Sequence, residues 1–196
     1  MTATPTPLEG INSGSAVSCL CPAGKQLRLG MDVCAIVLSK DSADILMPPP
    51  GNVFIAPYTA QCCIVSLREF RVKFGMKDLV GYRAAGAPGR IFRLGFFGEV
   101  TLKFAHSRGF SNLLRRSTDI SADTLIPMLE TELRSQITSA ITSVLGTQPA
   151  DYQDILAHRG QLQIEIEKAL FWQLYTYGLC IKPHSLSIQG FSKPVI

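Results

Sequence analysis

The stretch that decides the fold is residues 151–188, DYQDILAHRGQLQIEIEKALFWQLYTYGLCIKPHSLSI. Asp151 is a favoured N-cap residue, and Gly178 supplies the left-handed conformation that commonly follows the last turn of a helix. The sequence therefore predicts a helix between these two residues. The apolar residues from 179 to 188 predict a strand immediately after it, so the pattern indicates a helix that leads directly into a sheet.

This predicted helix carries two apolar faces. Its main face predicts the core contact and consists of Ile155, Leu162, Ile166, Ala169 and Leu170. A second face holds Ile164, Phe171 and Tyr175, and Trp172 lies between the two. We interpret these four residues as an interface for another protein, because aromatic side chains are common interface anchors. The alternative is that they also pack on the sheet.

The remaining segments complete an α+β pattern. A first long helix is predicted to begin between 121 and 124 and to end at Gly146, before the loop GTQPA. Alternating apolar residues predict strands at 27–38, 52–56, 61–74 and 91–104. The segment 91–104 is predicted to be divided into two strands at Gly95 or Gly98. We expect a bent antiparallel sheet of about five to six strands with two long helices. Residues 1–23, rich in Thr, Pro, Ser and Gly, predict a flexible arm, and 24–196 predict one domain.

The charge distribution is uneven along the chain. The formal net charge is +4, too small to argue for nucleic acid, and we expect no nucleic-acid partner. Residues 68–116, however, contain eleven Lys/Arg and three Asp/Glu, whereas the segment from 119 onward is net negative. This asymmetry predicts a face for an anionic surface such as phospholipid headgroups, with candidates Arg68, Arg71, Lys73, Arg115 and Arg116. It is equally consistent with a solvent-exposed sheet whose positive charges balance the negative charges on the helices of a neighbouring subunit.

Catalytic and cofactor motifs are missing from the sequence. The three histidines lie in separate segments without carboxylates at ligand spacing, which predicts surface or capping roles. Phosphate-binding, dinucleotide and serine-hydrolase signatures are also missing, so we predict no catalytic residues, metal or cofactor. A hydrolase or ligand-binding module is disfavoured on the same ground.

The six cysteines predict reduced, mostly buried thiols. Cys62 and Cys63 are adjacent, so in a strand they point to opposite faces and do not suit one metal site. Acylation of Cys19 or Cys21 as a membrane anchor is the alternative. An apolar run of about 18 residues and a signal-peptide pattern are both missing, which predicts a cytoplasmic protein with at most peripheral contact to the inner face of a membrane.

The order of these segments resembles the SPFH or band 7 domain, the family of prohibitins, stomatins and flotillins, and is most similar to the soluble bacterial branch called virion core protein-like. The resemblance covers about residues 25–194 and rests on PGNVF at 50–54, IVSLREF at 64–70, KFG at 73–75, FGEVTLKF at 97–104, LETELRSQI at 129–137, and the helix that ends at Gly178. The family often has Asp-Pro after the strand ending near Phe104, where this chain has His106-Ser107-Arg108. It commonly continues into a coiled coil or zinc-binding tail, and this sequence ends at Ile196.

The resemblance implies a scaffold without enzymatic activity that self-associates and organises membrane-associated or stress-related complexes. The expected partners are other copies of the chain and an anionic membrane surface or a membrane-bound protein. The second hypothesis is a soluble oligomeric assembly protein with no lipid role that uses the same helix surface.

Overall fold

A computed structural model defines the fold. It describes residues 6–7, 16–29, 32–38, 43–46, 53–58, 60–83, 91–115, 119–121, 127, 135, 139 and 152–191. The chain is α+β, as predicted, and its described strands form three sheets. It divides into two compact units. The first comprises Met1–Phe70, Leu102–Thr124 and Leu174–Cys180, and the second comprises Arg71–Thr101, Leu125–Gln173 and Ile181–Ile196.

The first unit is built on a five-stranded antiparallel sheet. Its order is β10-β2-β7-β4-β5, with bounds Asp119–Ser121, Ala16–Cys21, Gln61–Ser66, Val33–Leu38 and Ala43–Leu46. A smaller sheet has the order β1-β3-β6, with bounds Thr6–Pro7, Gln26–Arg28 and Val53–Ile55. The sequence predicted a single sheet of about five to six strands, whereas the described strands form this sheet, the smaller one and a four-stranded sheet.

Both faces of the central strand β7 are buried. One face contributes Cys62 and Ile64 to a core cluster with Cys21, Leu29, Ala35 and Ala56. The opposite face carries Cys63 and Val65, each at most 1% exposed. A near-continuous apolar run is what a strand covered on both sides requires, which explains the sequence CCIV at 62–65.

Helix α1 (Ser107–Leu114) packs against the two edge strands of this sheet, β5 and β10. It buries Phe110, Leu113 and Leu114, and the ring of Phe110 meets Phe104 edge-on at a centroid distance of 5.4 Å. The helix begins at Ser107 because the His106 side chain caps it by accepting the backbone N–H of Gly109.

A four-stranded sheet is centred on the long strand β9 (Ile91–Phe104), with which β8 (Phe70–Arg83), β11 (Leu179–Ile181) and β12 (Ser187–Phe191) pair. In the second unit, Phe96 stacks on Phe74 at 5.4 Å and meets Phe191 edge-on at 5.6 Å. These three rings are all buried and form an aromatic core on one side of the sheet.

Two helical segments precede β11. Helix α2 (Tyr152–Ala157) and helix α3 (Arg159–Thr176) are separated by a turn at His158. Helix α3 ends, as predicted, just before Gly178, whose φ of 73° lies in the left-handed region. The first predicted long helix lies largely outside the described residues, but Pro127, Ser135 and Ser139 within it are helical.

Several predictions about boundaries were wrong. The single strands predicted for 27–38 and 61–74 each form two strands. Residues 16–21 do not belong to a flexible arm, because they form strand β2, which pairs with β7 and β10. Strand β9 runs unbroken through Gly95 and Gly98. Gly98 is there because β12 approaches so closely that an added Cβ would lie 2.1 Å from the Ser187 carbonyl oxygen. The strand predicted for 179–188 is interrupted by a turn at Pro183 and His184.

Candidate interaction surface

The four residues predicted as an interface are all exposed on α3. Ile164 is 51% exposed, Phe171 38%, Trp172 70% and Tyr175 45%. At 100° per residue, Ile164, Phe171 and Tyr175 fall within a narrow stripe, and Trp172 borders it. We call these four residues the aromatic face. None of the four is fully buried, as complete packing on the sheet would require.

The opposite side of α3 is the buried one. Leu162, Ile166, Leu170 and Leu174, spaced by four residues, are each 1% exposed. This confirms the predicted main face, except that Ala169 is only half-buried and Leu174 belongs to it. The helix therefore already buries one apolar stripe, and the aromatic face is a second stripe that the described part of the chain leaves in solvent.

The aromatic face has defined side-chain packing. The rings of Phe171 and Trp172 meet edge-on, with centroids 5.4 Å apart. One turn toward the N-terminus, the Lys168 ammonium lies 3.3 Å from the Glu165 carboxylate, and both side chains are substantially exposed. An exposed pair of this kind contributes little to stability, so its effect is to place one positive and one negative charge beside the rings.

Polar side chains fix the orientation of α3 within the second unit. The Glu167 carboxylate accepts the backbone N–H of His184 at 2.7 Å and that of Leu186 at 3.2 Å. Gln163 Oε1 accepts the N–H of Ile188 at 2.9 Å. These bonds satisfy donors of the β11–β12 turn, where His184 has a φ of 59°. They lock the rotation of the helix, so the Leu162 stripe faces inward and the aromatic face faces outward.

The last turn of α3 is tied to the start of α1, and both segments belong to the first unit. His106 Nδ1 accepts the N–H of Gly109 at 3.3 Å, and its Nε2–H donates to the Tyr175 carbonyl oxygen at 2.8 Å. The imidazole also meets the Tyr175 ring edge-on at 4.6 Å. Tyr175 is therefore held in place while its ring remains partly exposed.

The predicted basic residues lie in different environments. Arg68 is engaged by Asp32, whose Oδ2 accepts its Nε–H at 2.9 Å and its Nη2–H at 2.6 Å. Arg71 and Lys73 alternate along β8 with buried Phe70, Val72 and Phe74, so both lie on the solvent face of that strand. Arg115 is exposed at the end of α1, and Arg116 lies outside the described residues.

The described thiols suit core packing rather than chemistry. Cys21, Cys34, Cys62 and Cys63 are buried and reduced. Burial raises the pKa of Cys34 to about 11 and also raises the pKa of Cys21, although nearby Lys25 opposes the latter shift. A buried thiol that resists ionisation is a poor nucleophile, which argues against acylation of Cys21. Cys62 and Cys63 face opposite sides of β7, as predicted.

The histidines occupy three different settings. His106 caps α1, His158 Nδ1 lies 2.8 Å from the Asp154 carbonyl oxygen, and His184 is exposed in its turn. The surface and capping roles expected for them are therefore observed. Among the residues that the structure describes, no three His, Cys, Asp or Glu side chains come together as metal ligands would.

Two exposed aromatic side chains were not anticipated. Tyr58 is 82% exposed, and its hydroxyl occupies the space over Gly24. Phe97 lies on the solvent side of β9 with its ring over Gly190. The sequence signal for Phe97 was available, because buried Phe96 precedes it directly and adjacent strand residues face opposite sides.

No described helix combines the length and the hydrophobicity needed to cross a bilayer. A comparison with models of known protein families finds none that matches this chain, and a comparison with curated proteins finds no significant relative.

Proposed function

We propose that this chain is a non-enzymatic scaffold of the SPFH type that self-associates and organises membrane-associated or stress-related complexes. One observation carries the proposal. Helix α3 buries one apolar stripe and presents a second, the aromatic face, to solvent. Exposed aromatic side chains that pack against one another are characteristic of protein interaction sites.

The aromatic face has the composition of an interface core. Trp and Tyr supply large contact areas at low entropic cost, and each aromatic side chain can bury about 150–250 Å². Because Glu167 and Gln163 fix the rotation of α3, the rings are presented without a rearrangement of the helix. A preorganised surface loses less conformational entropy on association, which favours binding.

A second part of the proposal concerns location. We place the protein in the cytoplasm, at the inner face of a membrane, with Arg71 and Lys73 as the residues that contact anionic headgroups. Both are exposed on the same face of β8. Each cation near an anionic bilayer contributes about 1 kcal/mol, so two would give weak, salt-sensitive attachment. Arg68 contributes less because its guanidinium already binds Asp32.

The alternative function is a soluble assembly protein with no lipid role. It uses the aromatic face in the same way and leaves Arg71 and Lys73 solvated. The bond between Arg68 and Asp32 favours this alternative, since it neutralises one of the predicted cations within the protein.

The molar mass in solution tests self-association. Light scattering over a range of concentrations should show an oligomer for the unmodified chain and a lower mass for Trp172→Ala and Phe171→Glu. Tyr58→Ala is the matched control, because Tyr58 is an exposed aromatic residue outside α3. A monomer at all concentrations, or equal masses for the three variants, would sink the proposal.

Sedimentation with vesicles separates the two functions. Phosphatidylserine-containing vesicles should pull down the unmodified chain at low salt, and Arg71→Glu with Lys73→Glu should abolish this binding. Lys25→Glu with Lys182→Glu changes the net charge equally at other exposed positions and should retain it. If the chain binds neither anionic nor neutral vesicles but still forms oligomers, the soluble assembly function is correct.

A further inference from the structure

The order of large and small residues along α3 specifies how two copies of the chain meet. We infer that the aromatic face forms a two-fold symmetric dimer in which the α3 helices of two copies pack antiparallel, with the axis near residue 166. This inference rests on the proposed self-association and specifies its geometry.

Bulk is distributed unequally along the outward side of α3. The C-terminal half carries Phe171 and Trp172, whereas the N-terminal half carries Gly160 and Gln161. Gly160 is exposed, and a Cβ added there would meet nothing within 4 Å. Its own unit therefore gives no packing reason for a glycine at this position in the first turn of α3.

Antiparallel pairing matches the large end of one helix to the small end of the other. With the axis near residue 166, Phe171 lies within one residue of the level of Gly160 of the second copy, and Trp172 lies within one residue of the level of Gln161. These residues also agree in their angular position. Phe171 and Gly160 flank one side of the stripe and Trp172 and Gln161 the other, and antiparallel helices bring equivalent sides together. Gly160 thus provides room for the ring of the second copy.

The charges are complementary in the same arrangement. The pair formed by Lys168 and Glu165 lies beside the axis, so each lysine approaches Ile164 and Glu165 of the second copy. In a parallel pair, Lys168 would face Lys168, the rings would crowd one end and Gly160 would face Gly160 across a gap. The opposite charges therefore select the orientation, even though exposed ion pairs add little affinity.

The expected dimer is weak. Two helices of this length bury less than the roughly 1,600 Å² of a standard interface, so dissociation in the micromolar range is expected. The measurements below therefore use the full chain at concentrations up to the high micromolar range.

The decisive variant is Gly160→Tyr. A tyrosine at this open position leaves the fold intact but occupies the space assigned to Phe171 of the second copy. We expect dimerisation measured by sedimentation equilibrium to weaken by about tenfold or more. Gly160→Ala is the matched control and should change the dissociation constant by less than about threefold. Unchanged or tighter dimerisation of Gly160→Tyr would overturn the inference, since an added aromatic ring strengthens non-specific association.

A distance measurement tests the orientation independently. A spin label at Arg159→Cys, with Cys19 and Cys180 replaced by serine, lies on α3 about seven residues from the proposed axis. In the antiparallel dimer the two attachment points are separated by about 20 Å along the helices, at roughly 1.5 Å per residue. The side of α3 that carries Arg159 points away from the second helix, which adds about 15 Å across the pair in either orientation. A parallel pair would leave only this distance and would overturn the inference, whereas the antiparallel pair gives about 25 Å in total.

The two proposals fail in different ways. If Phe171→Glu leaves the mass unchanged, self-association through this face is wrong and the dimer geometry falls with it. If Phe171→Glu dissociates the oligomer but Gly160→Tyr does not, the aromatic face is an interface and only the antiparallel arrangement is wrong.

Discussion

His106 Nε2 lies 2.8 Å from the carbonyl oxygen of Tyr175, although the two residues are 69 positions apart. The other ring nitrogen caps α1, so one imidazole joins the N-terminus of one helix to the C-terminal turn of another. A neutral ring with its proton on Nε2 satisfies both bonds, because Nδ1 then accepts and Nε2 donates. The N-terminus of α1 carries partial positive charge and the C-terminus of α3 partial negative charge, so the two helix ends attract each other at this contact.

Replacing His106 should separate its two roles. His106→Ala removes the cap and the bond to Tyr175, and we expect a loss of about 1–3 kcal/mol in the free energy of unfolding. His106→Asn retains a capping oxygen but is too short to reach Tyr175, so its loss should be smaller. Urea denaturation measures both values. Equal losses for the two variants would show that the cap contributes nothing.

The backbone of α1 approaches the end of α3 at Gly109. A Cβ at this position would lie 2.3 Å from the Thr176 carbonyl oxygen and 2.5 Å from the Gly178 nitrogen, both of them backbone atoms that cannot rotate away. We expect Gly109→Ala to destabilise the protein by about 3 kcal/mol or more. Gly160→Ala is the opposite control, since open space and helix propensity predict a gain of up to about 1 kcal/mol. Thermal unfolding should show shifts of opposite sign, and shifts of the same sign would contradict the close approach at Gly109.

Glu167 should matter more than its neighbour Glu165. Glu167→Ala leaves the N–H groups of His184 and Leu186 without their acceptor, which predicts a loss of about 1–3 kcal/mol. Glu165→Ala removes only an exposed ion pair and should change stability by less than about 0.5 kcal/mol. Hydrogen exchange provides the specific readout, because amide protection at 184 and 186 should fall in the first variant and persist in the second. Unchanged protection in Glu167→Ala would disprove the capping role.

The buried thiol of Cys34 predicts a loss of stability at alkaline pH. In the unfolded chain the thiol ionises near its ordinary pKa of 9.0, whereas burial raises the folded-state pKa to about 11. The folded state therefore retains the proton while the unfolded state loses it, and stability should fall between pH 9 and 11 by on the order of 2 kcal/mol. Urea midpoints across this range should fall less steeply for Cys34→Ala than for the unmodified chain. Parallel curves would show that Cys34 ionises equally in both states.

Helical features of this protein could be predicted because they depend on neighbours in sequence. The spacing of Leu162, Ile166 and Leu170 determines one face of α3, and the positions of Phe171 and Tyr175 determine the other. Gly178 ends the helix through its own backbone conformation. The same periodicity left open whether the second face is also covered by the sheet.

The sheet could not be predicted to the same extent, because its contacts join distant residues. Cys21 on β2 lies directly opposite Cys62 on the neighbouring strand β7. The register therefore depends on residues far apart in the sequence, which no local pattern connects. The composition of residues 16–21 resembles a flexible arm, yet pairing on both sides makes this segment an inner strand of the sheet. The glycines of β9 similarly predicted a break, because the approach of β12 that Gly98 permits is not visible in the sequence.

The sequence by itself determined the fold class, the two apolar stripes of α3 and the thiol-rich core strand, since side-chain periodicity specifies which residues can share a face. Only the tertiary structure decided that the second stripe is exposed. Gln163 and Glu167 flank the Leu162 stripe and bind backbone N–H groups of the β11–β12 segment, and these bonds turn Phe171 and Trp172 toward solvent. Such hydrogen bonds depend on positions in space that periodicity does not encode.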